Sequence, residues 1–137
     1  MFKLSDKSKQ NRIGVDRRLI EISDRAITYS KVDFGHGADS GVRTTERQQE
    51  LFSSGVSKDD GINKRSNHQD GKALDVTAYN GDSPTWEHRF YAMIAVAFFQ
   101  AANELGYRIR WGGMFNSEVI KDDVHYGWDC AHFELVD

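Results

Sequence analysis

Ser66-Asn67-His68-Gln69-Asp70-Gly71-Lys72-Ala73-Leu74-Asp75 sets a histidine in a polar stretch, a glycine three residues later and an aspartate inside a short apolar run. Gly71 permits a tight reversal, so Asp75, on a strand read over Ala73–Ala78, returns to the neighbourhood of His68. Upstream, Ser53 to Gly71 is rich in Ser, Asp, Asn and Gly and lacks regular apolar spacing. A loop of that length in a compact chain is where function usually sits.

Moving outward, Asp129-Cys130-Ala131-His132-Phe133-Glu134 leads into a second strand, Ala131 to Val136. His132, Glu134 and Val136 share one strand face, and Phe133 and Leu135 share the other. Tyr107 to Trp111 reads as a further strand. Val15, Leu19, Ile22 and Ala26 recur at helical spacing, which predicts an amphipathic helix over 12–29. Thr45 with Gln48 fits a capping box for a short helix ending near Gly55, which puts Arg43 at a strand-to-helix junction. Asp82-Ser83-Pro84 supplies a cap and first-turn proline for the next helix. Its face is Phe90, Ile94, Ala97, Ala101 and Leu105, with Met93, Val96, Phe98 and Phe99 around its sides and Gly106 closing it. The expected fold is α+β, about three helices on a small, mainly antiparallel sheet, with residues 1–137 forming one catalytic domain.

The 137 residues suffice to bury about two-thirds of the unfolded surface in one core. Hydrophobic residues at 39% and charged residues at 28% exclude a disordered chain. A net charge of −3 argues against a nucleic-acid partner, and the single cysteine, Cys130, rules out an internal disulfide. No stretch approaches the roughly 18 apolar residues of a membrane span, and the charged N-terminus has no secretory apolar run.

His68, Asp75 and His132 form the donor set of a catalytic zinc site, which takes three protein ligands from His and carboxylate and leaves a fourth position for water. Hydrolysis also needs a carboxylate base that does not ligate the metal, and Asp129, three residues before His132, is the candidate. Arg43 is the candidate cation for the developing oxyanion. The other readings, a turn residue for Asp129 and a surface charge for Arg43, are open at this stage. Ser66 divides evenly between a loop hydrogen-bonder and a substrate contact. His36, His88 and His125 read as solvated or capping residues, and Cys130 as a small buried one. Trp111, Tyr126 and Trp128 read equally as groove or core, and Glu118, Asp122 and Asp123 as a solvated loop whose spacing matches no EF-hand.

The two motifs together resemble the signature of the zinc D,D- and L,D-peptidases of the VanY and VanX type, S-x-H-x-x-G-x-A-x-D followed by [ED]-x-x-H. Ser66, His68, Gly71, Ala73 and Asp75 match the first half. The resemblance is closest to the phage endolysins that act as L-alanyl-D-glutamate peptidases and extends to Gly41-Val42-Arg43-Thr44 and His132-Phe133-Glu134-Leu135-Val136. It implies one Zn²⁺ per chain on His68, Asp75 and His132, with Asp129 as base, Arg43 steadying the substrate, and peptidoglycan stem peptides as partner. Asp129 stands where the D,D-peptidase branch has Glu, which tilts the expected bond to L-Ala–D-Glu. A D-alanyl-D-alanine carboxypeptidase or dipeptidase, and a zinc-stabilised wall-binding module without activity, are the alternatives. The resemblance and the missing secretory signal predict a monomeric lysin held in the host cytoplasm until release to the wall.

Overall fold

A computed structural model describes residues 1–115 and 129–137. Helix α1 (Asp6–Asn11) is capped by Ser5, whose hydroxyl accepts the Ser8 N–H, and α2 (Arg17–Tyr29) by the Asp16 carboxylate, which accepts from Arg18. The predicted helix over 12–29 therefore begins at Arg17, because the Asp16 side chain takes the first free N–H. Strand β1 (Asp33–Gly35) precedes α3 (Thr45–Ser53). The cap of α3 is Thr44 rather than Thr45: Thr44 is extended and its hydroxyl accepts from Arg47. Val42 and Arg43 lie in irregular backbone, so Arg43 follows a loop and not a strand.

The run Ala73–Ala78 is two strands. β2 (Ala73–Asp75) and β3 (Thr77–Asn80) belong to different sheets, with the chain crossing between them at Val76, whose N–H bonds the Ala131 carbonyl. β3 turns through Gly81 and Asp82 into β4 (Ser83–Thr85), a hairpin with Asn80 opposite Ser83. Gly81 adopts φ +63°, the left-handed conformation that a two-residue hairpin loop needs. Pro84 thus sits in a sheet-edge strand, where a missing N–H costs nothing, and does not open the helix as the sequence suggested. Helix α4 (His88–Leu105) starts after Glu87 without a side-chain cap and ends at Gly106.

β5 (Ile109–Trp111) and β6 (His132–Leu135) complete the order. One three-stranded antiparallel sheet runs β1-β3-β4 and the other β2-β6-β5. With four α-helices among the described residues, the architecture is α+β as expected, with the sheet divided in two. α2 lies along α4, and α4 reaches both sheets: Phe98 stacks on Phe133 of β6 at 4.0 Å between ring centroids and meets Phe34 of β1 at 5.5 Å. Leu19, Ile22, Ile94, Phe98 and Phe133 are fully buried there. Met93, Val96 and Phe99 face outward, so α4 buries one face and not most of its circumference.

Candidate metal centre

His68 is delivered by a 3-10 turn, Asn67–Asp70, that Ser66 caps: the Ser66 hydroxyl accepts the His68 N–H while Gln69 reaches back to the Ser66 N–H. Gly71 ends the turn at φ +71°, and a Cβ there would stand 3.0 Å from the Gly14 carbonyl. The reversal inferred from the sequence is therefore real and sterically reserved for glycine. β2 then pairs with β6 in a register that sets Asp75 directly opposite His132. A loop, a turn and one strand pairing thus bring three residues spread over 64 positions together.

The geometry is specific. His68 Nε2 lies 3.2 Å from His132 Nδ1 and 3.2 Å from Asp75 Oδ1, and His132 Nδ1 lies 3.3 Å from the same oxygen. A tetrahedral ion with bonds of about 2.0–2.1 Å separates its ligand atoms by about 3.3–3.4 Å. The proton positions agree. His68 Nδ1 faces the Gly41 carbonyl at 2.9 Å, which can only accept, so this nitrogen carries the hydrogen and Nε2 presents a lone pair. His132 Nε2 donates to Glu134 Oε1 at 2.9 Å, leaving Nδ1 to face the other two donors. Asp75 Oδ1 is buried without a hydrogen-bond partner among the described residues, despite its closeness to both rings. Three electron-pair donors converging on one point repel one another unless a cation or a proton lies among them. This donor set fits a divalent metal ion.

The electrostatics have the same cause. Burial opposes charge on His132, but Asp75, Glu134 and Asp129 outweigh it and push its pKa up to about 10 in the metal-free protein. Burial likewise opposes ionisation of Asp75, yet the two histidines hold its carboxyl far below the usual range. Asp129 lies just outside the triangle, its Oδ2 3.6 Å from His132 Nδ1. Its pKa is raised, first by burial and then by the charge of Asp75, which suits a group that must hold a proton in passing.

Arg43 also reaches the centre. Its Nη2 meets Asp75 Oδ2 at 3.3 Å, Nη1 the Gln48 amide oxygen at 3.2 Å and Nε the Asp39 carbonyl at 2.9 Å. Gln48, fully buried, is thus an anchor for this guanidinium and for the Asp59 carbonyl, not part of a capping box. Arg43, Ser66 and Asp129 all line the cleft of about 550 Å³ that opens on the three donors.

The sequence reading of His36 as solvated is wrong. It is buried, its Nδ1–H donates to the Asp75 carbonyl at 2.7 Å, and its Nε2 accepts from the Ser23 hydroxyl at 2.7 Å, because a carbonyl can only accept. Burial lowers its pKa to about 4. His36 lies just past the end of β1, and its role rests on partners in α2 and β2 that leave no local signal in the sequence. His88 is exposed. Trp111 is buried in the core and donates to the Cys130 carbonyl at 2.7 Å. Tyr126, Trp128, His125, Glu118, Asp122 and Asp123 lie outside the described residues.

A model of the phage L-alanyl-D-glutamate peptidase family matches residues 1–136. The chain belongs to that family. Within it, the chain is 31% identical to the L-alanyl-D-glutamate peptidase of Escherichia phage T5 over 141 residues, covering 98% of each. Among solved structures, the L-Ala D-Glu endopeptidase ChiX of Serratia marcescens superposes with a TM-score of 0.79 at 32% identity, over 98% of this chain and 90% of that one. In this member of the family the three donors line an open cleft.

Proposed function

We propose that the protein is a phage endolysin that hydrolyses the L-alanyl–D-glutamyl bond of peptidoglycan stem peptides with one Zn²⁺ held by His68, Asp75 and His132. The observation that carries the metal is the convergence of three donor atoms with edges of 3.2–3.3 Å, with Asp75 Oδ1 lacking a hydrogen-bond partner among the described residues. Bound there, zinc would lower the pKa of water and polarise the scissile carbonyl. The chain's own groups would do the rest. Asp129 takes the proton from the attacking water and returns it to the leaving amine. Arg43 orients Asp75 through its Nη2 contact and presents its remaining N–H groups to the carbonyl oxygen as it gains charge. Glu134 holds His132 in the tautomer that bares Nδ1. Ser66, by setting the turn under His68, places that ligand at the cleft floor.

The 137 residues would act as one monomeric catalytic unit, kept in the host cytoplasm and meeting the wall after release. Metal analysis of purified protein, together with mass spectrometry of digested peptidoglycan, tests the reading. About one zinc per chain is expected, lost in His68→Ala, Asp75→Ala and His132→Ala, together with new L-Ala C-termini and D-Glu N-termini. Release of terminal D-Ala would instead indicate a D,D-peptidase, and intact wall with bound protein a binding module.

A further inference from the structure

Chemistry fixes one property of the residue on the leaving side of the proposed bond. A glutamyl residue has two carboxyl groups and chain continuation uses one, so a free carboxylate lies within a few bonds of the amine that departs. A site cutting there has reason to hold a cation beside the metal. Five cationic side chains line the cleft: Arg43, Lys58, Lys64, Arg65 and Arg110. Arg43 is engaged with Asp75, Gln48 and Asp39. Lys58, Lys64 and Arg65 belong to the Ser53–Gly71 loop, where Lys64 pairs with Asp59 at 3.6 Å and Arg65 with Asp70 at 3.0 Å.

Arg110 differs. It stands on β5, hydrogen-bonded to the strand that carries His132, and its register partner is Glu134. Its guanidinium lies 4.8 Å over the Phe115 ring, and Phe115 in turn rests against the His132 imidazole at 5.7 Å between centroids. Its Nη1 is 3.5 Å from Glu134 Oε2, a long contact, while Glu134 spends its other oxygen on His132. A planar fork of donors is thus fixed next to the metal ligand by a sheet and a stacking ring, yet 59% of the side chain is exposed. Rigid placement with open donors is what bidentate capture of a carboxylate requires.

Resting on the bond specificity proposed above, we infer that Arg110 is the subsite for the free carboxylate of the D-glutamyl residue on the leaving side of the cut. Phe115 and Glu134 hold its guanidinium in place. Loss of one charge-assisted hydrogen-bonded contact corresponds to about a 10- to 100-fold change.

The test uses paired synthetic stem peptides, one with that carboxylate free and one with it amidated, and the kcat/KM ratio between them. Wild-type enzyme should prefer the free acid by about tenfold or more. Arg110→Gln should bring the ratio to within about twofold of one, and Arg110→Lys should fall between, since it keeps charge without the fork. A wild-type ratio near one, or an unchanged ratio in Arg110→Gln, overturns the assignment. Should Arg110→Gln fail to fold, Arg110→Lys and the wild-type ratio still decide it. Inhibition by the free-acid and amidated D-glutamyl product peptides provides a reading without turnover, with the acid expected to bind about tenfold tighter to wild type only. If product analysis placed the cut at another bond, the functional proposal would fail by that measurement, whereas equal inhibition by both peptides would overturn the Arg110 assignment alone.

Discussion

Asp129 and His36 show two opposite uses of burial. Asp129 sits 3.6 Å from a metal-facing nitrogen and has its pKa raised by burial and by Asp75. Asp129→Asn keeps shape and removes the basic oxygen. It should retain zinc and lower kcat by about 100-fold or more, read by metal content beside turnover. Loss of zinc as well would make Asp129 part of the metal's support rather than its base. At His36 burial outweighs the hydrogen bond to the Asp75 carbonyl and the charges of Asp75 and Asp24, so the ring is held neutral, its pKa near 4 against an ordinary 6.5. Between those values the unfolded chain binds a proton that the folded chain refuses, so stability falls as pH drops from about 6.5 towards 4. The full difference is worth roughly 3 kcal/mol. His36→Asn, which keeps a donor near the Nδ1 position, should flatten that acid-side loss in denaturant melts taken across the range. An unchanged slope would place the titration elsewhere.

The decisive elements are short: a 3-10 turn, a three-residue strand and the first residue of β6. The turn is specified locally, by the Ser66 cap and by Gly71 in the left-handed region. Gly71→Ala should cost about 1–2 kcal/mol for the backbone conformation alone, and the 3.0 Å approach to the Gly14 carbonyl adds to it. Because the strain falls between His68 and Asp75, zinc affinity should fall by more than global stability does, as chelator competition and thermal melts on the same variant would show. Equal losses in both would mean the turn serves only folding.

Across the whole molecule, the centre ties together parts far apart in sequence. Arg43 and His68 come from the loops, Asp75 and His132 from a strand pair, and Ser23 of α2 supports Asp75 through His36. In the metal-free centre a proton on His132 offsets the repulsion among the three donors, and a dication that binds only the folded arrangement takes that proton's place and stabilises the fold by its binding. At free zinc about 100-fold above its Kd, the folded state gains roughly 3 kcal/mol, on the order of 10 °C in melting temperature. Chelation should lower the midpoint by that much in wild type and by little in His132→Ala. A midpoint indifferent to chelator would mean no tightly held ion.

The sequence by itself determined whatever rests on local chemistry. His68, Asp75 and His132 were legible because a metal donor set needs those side chains, and Gly71 because only glycine makes that reversal cheaply. The α+β character followed from period-2 and period-3.6 patterns in segments now seen as β2, β5, β6, α2 and α4. Tertiary structure decided what depends on partners distant in the chain. The break at Val76 into two sheets follows the separate pairing partners of β2 and β3, with the Val76 N–H held by the Ala131 carbonyl. Pro84 looked like a helix start because a first-turn proline and an edge-strand proline have the same local signature, and strand pairing alone separates them. His36 gained its partner from a backbone carbonyl 39 residues away, and Arg110 its placement from Glu134 across a strand pair. Such contacts leave no periodic or compositional trace, since a hydrogen bond to a carbonyl or a stacked ring places no demand on neighbouring sequence.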